Sequence, residues 1–212
     1  MVCTLFLASV LVLTGCSTAY YAAMEKVGVH KRDILVDRVE EARDAQVESQ
    51  QEFKDALDEL SQLIKFHGGD LQSRYEALSA QYEDSKKAAA EVSSRISKVE
   101  TVAFDLFAEW ETELSQYQSK QLRADSKKKL LETKRQFDAL LRVMRRAESK
   151  MPPVLRVLND NVLYLKHNLN AKAVGAIQGE FGMLQQDVNS LVSEMNKAIA
   201  ESNQFIATIN QQ

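Results

Sequence analysis

From Leu71 to Trp110 the chain reads LQSRYEALSAQYEDSKKAAAEVSSRISKVETVAFDLFAEW. One register runs through Leu71, Tyr75, Leu78, Tyr82, Ser85, Ala89, Val92, Ile96, Val99, Ala103, Leu106 and Trp110. Steps of four and three alternate without a break, the period that keeps one stripe of a helix turned toward a neighbour. The stretch predicts a long helix packed along a coiled-coil-like seam.

The same spacing returns near the C-terminus at Ile177, Phe181, Leu184, Val188, Leu191, Met195, Ala198, Ser202 and Phe205. Between the two, Leu130, Phe137, Leu141 and Met144 lead to Pro152-Pro153, after which Leu155, Leu158, Val162, Leu165 and Leu169 resume the stripe. Two missing backbone donors predict a kink or a break at the prolines. Before Leu71, the residues Ile34, Val39, Ala42, Phe53, Leu57, Leu60 and Ile64 share one face, with Gln46 and Gln50 midway along it. Gln46 and Gln50 predict a polar centre for this helix.

Capping chemistry divides the chain. A short helix is expected over 19–27, with Gly28 as a weak point and Asp33 capping the longer helix that follows. Gly68-Gly69 offers a left-handed exit, and Asp70 a cap for the next helix. The polar stretch from Tyr117 to Asp125 is expected to end the second helix, with Asp125 or Ser126 capping the third. Asn168 and Asn170 make the last turn.

The expected fold is all-α: an elongated antiparallel four-helix bundle forming a single domain over 21–212, its third helix kinked or broken at Pro152-Pro153. Helices of roughly 40–50 residues would be on the order of 60–75 Å long, and short connections place neighbours antiparallel. A true turn at the prolines would instead give five helices in a shorter, spectrin-like array.

Composition agrees with long helices. The 212 residues include only 2 Pro and 7 Gly, with 45% hydrophobic and 27% charged residues, enough apolar material for a core. A net charge of -3 gives no overall attraction to nucleic acid. Both cysteines, Cys3 and Cys16, lie in the leading segment, so no disulfide framework is expected in the body.

Val2 to Leu13 is almost wholly apolar and too short for the roughly 20 residues that span a bilayer. It matches the hydrophobic region of a secretory signal, although no Lys or Arg precedes it. Leu13-Thr14-Gly15-Cys16 follows at once and resembles the lipobox of bacterial lipoproteins. That resemblance implies a signal peptide over 1–15 that is removed, a lipidated tether over 16–20, and acyl chains such as palmitate on Cys16. Ser17, in place of Asp, implies by the same resemblance an outer-membrane protein facing the periplasm. Taken whole, with helices such as Val162-Leu163-Tyr164-Leu165-Lys166-His167-Asn168-Leu169-Asn170, the chain resembles an uncharacterised family of proteobacterial coiled-coil lipoproteins, a domain of unknown function. The resemblance implies location and shape, and carries no site residue beyond Cys16.

No enzyme motif stands out. Gly175, Gly179 and Gly182 are followed by Met183-Leu184, without the Lys and Ser or Thr of a phosphate-binding loop. His30, His67 and His167 sit far apart in sequence, with no second His three or four residues away on the same helix, and paired Glu-x-x-His elements are missing. We expect no catalytic residue, metal or cofactor.

Two features rise above background. Glu40, Glu41, Asp44, Glu48, Glu52, Asp55, Asp58 and Glu59 make the first helix acidic, whereas Lys127, Lys128, Lys129, Lys134, Arg135, Arg142, Arg145, Arg146 and Lys150 make the third basic. Either these faces pair within the bundle, each exposed pair contributing about 0–1 kcal/mol, or the basic face meets an anionic partner such as headgroups, cell-wall polymer or an acidic protein. The second feature is a stripe of small and amide residues on the last helix: Gly175, Gly179, Gly182, Gln186, Asn189, Ser193, Asn196, Ala200 and Asn203. It fits contact with a second copy or another protein, or else burial on two sides within the bundle.

The expected function is that of a membrane-anchored envelope scaffold, spacer or adaptor. The alternative is a periplasmic module that holds a lipid or other apolar ligand between helices.

Overall fold

The computed structural model describes residues 30–65, 68 and 70–211. The expected signal peptide, the tether, Cys16, the short helix over 19–27 and His67 lie outside the described residues. Four helices follow one another: α1 (Lys31–Ile64), α2 (Leu71–Glu113), α3 (Lys120–His167) and α4 (Ala171–Asn210), with a 3-10 turn at Leu114–Gln116. Among the described residues there is no strand.

Packing runs α1 on α2, α2 on α3, α3 on α4, and α4 back on α1. Neighbours are antiparallel. Glu41 meets Arg95 while Glu52 meets Gln81, and Arg43 meets Asn203 while Gln50 meets Asn196. The molecule is the expected up-down-up-down bundle, and its longest helix, of 48 residues, extends about 72 Å.

The seams are where the periodicity put them. Every seam residue of α2 from Leu71 to Trp110 is buried or half-buried, as are those of α4 from Ile177 to Phe205. Phe53, Leu60, Leu78, Ile96, Leu140, Met144, Leu158 and Leu184 are almost fully enclosed, and each such side chain contributes roughly 1.5–3 kcal/mol by leaving water. Phe137 stands edge-on to Phe107 of α2 at 5.6 Å and to Phe205 of α4 at 6.1 Å, so one ring joins three helices.

Helix ends refine the sequence reading. Asp70 caps α2 as expected, its Oδ1 accepting from the Gln72 amide at 3.0 Å. Asn170 caps α4, its Oδ1 accepting from the Ala173 amide at 3.1 Å. α1 is capped by His30 rather than Asp33; Asp33 sits three residues in and accepts from the His30 amide at 3.3 Å. α1 closes at Lys65 with φ −88°, before Gly68, so a left-handed glycine does not end it.

Two corrections matter more. α3 starts at Lys120, capped by Ser119, whose Oγ accepts from the Leu122 amide at 3.3 Å. Asp125 and Ser126 are therefore inside the helix. α3 also continues through Pro152 and Pro153 as one element, so no five-helix array forms. Both prolines are exposed. The donors they lack would have served the carbonyls of the half-buried Glu148 and the exposed Ser149, toward the open side of the helix.

Candidate functional site

The α4 stripe is uncovered. Gly175, Gly179, Gly182, Gln186, Asn189, Ser193, Asn196, Ala200 and Asn203 are all exposed, so α4 is not buried on two sides. A Cβ placed at Gly175, Gly179 or Gly182 would meet nothing within 4 Å. No packing inside the chain requires these glycines, although each weakens a helix interior by roughly 0.5–1 kcal/mol relative to Ala. Met183 beside them is 65% exposed. The far half of the stripe behaves differently. Asn196 Oδ1 accepts from Gln50 Nε2 at 2.9 Å, and Asn203 Oδ1 accepts from Arg43 at 3.1 Å, so these two amides fasten α4 to α1.

The acidic and basic helices do not face each other. α1 and α3 stand across the diagonal of the bundle, and each finds its counter-charges on the helices between them. On α3, Lys134 pairs with Glu111 at 2.6 Å, Arg146 with Glu194 at 2.9 Å, and Arg145 with Glu100 and Glu148. On α1, Glu41 pairs with Arg38 and with Arg95 of α2. Lys127, Arg135 and Arg142 are exposed and make no ion pair among the described residues. Lys128 reaches Glu132 only at 4.0 Å.

Two carboxylates are tuned by these pairs. Burial pushes Glu41 up, but hydrogen bonds and charge from Arg38 and Arg95 outweigh it and hold the group below the ordinary carboxylate range. A hydrogen bond from Lys197 lowers Glu194 against the burial of its side chain, and the charges of Arg146, Lys197 and Lys150 lower it further. Glu194 is a buried acid on the α3–α4 seam, which the spacing of apolar residues could not reveal.

The polar centre of α1 is real. Gln46 and Ser49 are fully buried, and neither Gln46 amide atom nor the Ser49 hydroxyl has a hydrogen-bond partner. Ser85 is also buried, its hydroxyl within reach of the carbonyls of Glu52 at 3.0 Å and Gln81 at 2.9 Å. Gln50 at the edge bonds Asn196 and the Val192 carbonyl.

At the end of the bundle where α1 begins, His30, Leu106, Trp110, Thr133 and Ile209 line one open hollow of about 320 Å³. All four helices meet there, and Lys31 pairs with Glu109 at 2.9 Å. Beyond it, among the described residues, α2 and α3 continue alone. From Glu111 to Lys129 every residue is exposed except the half-buried Leu114 and Ser126, and Ser126 Oγ accepts from Trp110 Nε1 at 2.8 Å. The first buried residue of α3 is Leu130, so its opening ten residues project about 15 Å. The polar stretch Tyr117 to Asp125, expected to end the second helix, thus contains the start of α3.

Comparison with known proteins comes down to one match. The family model described as "Protein of unknown function (DUF2959)" matches residues 20–209. The chain belongs to the DUF2959 family. No curated protein and no solved structure matches it. The DUF2959 match spans all four helices, so the fold described here is that of the family domain, and the expectation of an uncharacterised family holds. Among the described residues of this DUF2959 chain, no group of His, Asp and Glu side chains is arranged to hold a metal ion. No described helix is long and apolar enough to cross a membrane.

Proposed function

We propose that this DUF2959 protein is a non-enzymatic lipoprotein of the bacterial cell envelope. A thioether-linked lipid on Cys16 tethers a helical rod that acts as scaffold, spacer or adaptor, on the periplasmic face of the outer membrane. The observation that carries the reading is the placement of Leu13-Thr14-Gly15-Cys16 directly after the apolar run Val2–Leu13. Several acyl chains at about 0.8 kcal/mol per buried methylene anchor a protein firmly, where one chain is marginal.

The shape of the body supports a mechanical role. Large side chains occupy the axis of the bundle, and the hollows are open grooves between helices, such as the one of about 420 Å³ beside Ala89, Met151 and Pro152. A carrier of apolar ligands would bury most of its ligand in a preformed, largely apolar pocket. The uncovered half of the α4 stripe, from Gly175 to Ser193, gives a second copy or a partner helix a surface for close backbone approach. Gly179→Arg would lower the assembly mass read by light scattering, and an unchanged mass with an unchanged fold would remove that contact.

Radiolabelled palmitate tests the anchor. The wild-type chain is expected to incorporate label and to sediment with membranes, and Cys16→Ala to lose the label. Equal labelling of both would move lipidation elsewhere and overturn the reading.

A further inference from the structure

The projecting end of the α2–α3 hairpin combines charge, apolar side chains and position. From Leu114 to Lys129 it carries five basic side chains, Lys120, Arg123, Lys127, Lys128 and Lys129, against the single acid Asp125. The whole chain has a net charge of -3, so the tip is basic on an acidic protein. Among the described residues, Lys120, Arg123, Lys127 and Lys129 make no ion pair, and Lys128 has Glu132 at 4.0 Å. Of the nearby acids on α2, Glu109 is taken by Lys31 and Glu111 by Lys134, which leaves Glu113. The N-terminal end of the α3 dipole adds partial positive charge at the same place.

Apolar groups sit among these cations. The inward stripe of α3 runs back from Phe137 through Thr133, Leu130 and the half-buried Ser126 to the exposed Leu122. Leu122 is 57% exposed and Tyr117 is 40% exposed. An aliphatic and an aromatic side chain ringed by long, flexible cations suit a membrane interface, where the rings and chains enter the headgroup layer and the ammonium groups stay at its surface. A folded acidic protein would instead be met by a shaped face, and the tip offers only a narrow prow.

We propose that the α2–α3 tip docks on an anionic lipid surface, holding the bundle end-on to the membrane. This rests on the lipoprotein reading for its geometry. α1 begins at the end from which the tip projects, and Cys16 precedes His30 by 14 positions, a reach of at most about 50 Å. Anchor and tip thus address the same surface, and two points of attachment set the direction of the rod, which one point would leave free.

The test uses the full chain, purified from membranes and reconstituted in vesicles of phosphatidylethanolamine with phosphatidylglycerol, or of phosphatidylcholine alone. An environment-sensitive fluorophore is attached in Leu122→Cys, and in Leu163→Cys, exposed near the other end of α3, as a control remote from the tip. The tip label is expected to shift to the blue on the anionic vesicles, to lose that shift at high salt, and to show none on phosphatidylcholine; the control label stays unshifted throughout. Lys120→Gln, Arg123→Gln, Lys127→Gln and Lys129→Gln combined should lower tip partitioning by on the order of a thousandfold, with helicity by circular dichroism unchanged. Equal emission on both vesicle types, or an unchanged shift in the combined variant, would overturn the proposal. A shift with soluble polyglutamate as large as that with vesicles would overturn the lipid assignment in favour of an acidic polymer. The mass of the N-terminal peptide from the same preparation reports acylation separately, so loss of the anchor and loss of the docking are told apart.

Discussion

Gln46 is the most informative position in the core to perturb. Its side chain is fully buried and neither amide atom has a partner, so the folded state carries a desolvation penalty that the unfolded chain relieves in water. Methionine has nearly the same length and flexibility, fills the same volume, and brings no strong donor or acceptor. Leaving a buried polar group unsatisfied costs about 1–3 kcal/mol, so Gln46→Met is expected to stabilise the bundle by about that amount. For a chain of this size the gain corresponds to a rise of about 2–10 °C in Tm. Urea unfolding followed by circular dichroism at 222 nm gives the free energy directly, and the denaturant slope should not change, because the surface exposed on unfolding is the same. Ser49→Ala serves as a companion, removing a lone hydroxyl with little change in volume, and should be neutral or mildly stabilising. Destabilisation of Gln46→Met by 1 kcal/mol or more would refute the reasoning, since it would mean that the amide is satisfied in the folded protein.

Phe137→Ala should cost about 3–5 kcal/mol, the largest single loss expected, because its ring touches both Phe107 and Phe205; a loss under 1 kcal/mol by the same urea assay would contradict the packing. Gly179→Ala should raise the stability of the dilute, unassembled chain by about 0.5–1 kcal/mol, since its Cβ enters space left open within the chain, and a destabilised variant in thermal unfolding of dilute protein would show that packing within the chain fills that space. Glu194 has a folded pKa below its ordinary value of 4.5, so the stability it contributes is complete above that value and is lost as pH falls through the lowered one. An acid titration of thermal stability should therefore fall less steeply in Glu194→Gln than in the wild type below pH 4.5, and parallel curves would remove Glu194 from the acid response.

The alternation of four and three from Leu71 to Trp110, and again from Ile177 to Phe205, was enough to read the bundle, because buried seams leave a period in the sequence. The same logic explains what the pattern missed. Lys120 to Lys129 is helix without a covered side, so it has no apolar period, and with Asp125 and Ser126 both good caps the start of α3 was read six residues late. A helix that overhangs its partners is invisible to a signal produced by burial. Charge segregation between α1 and α3 was legible, but not that the two helices stand diagonally, since composition carries no adjacency. Pro152-Pro153 announced a disturbance without saying whether the helix would survive it, and it survives because both prolines face outward. The α4 stripe was legible as a list of residues, yet only coordinates divide it into an uncovered glycine half and the pair Asn196 and Asn203 that bind α1.

Mass spectrometry of the mature N-terminus tests the lipid-anchored rod most directly. Material taken from the membrane fraction should begin at Cys16 and carry the added mass of a diacylglyceryl group and an amide-linked acyl chain. A polypeptide recovered from the soluble fraction, starting at Met1 with an unmodified Cys16 thiol, would contradict the account.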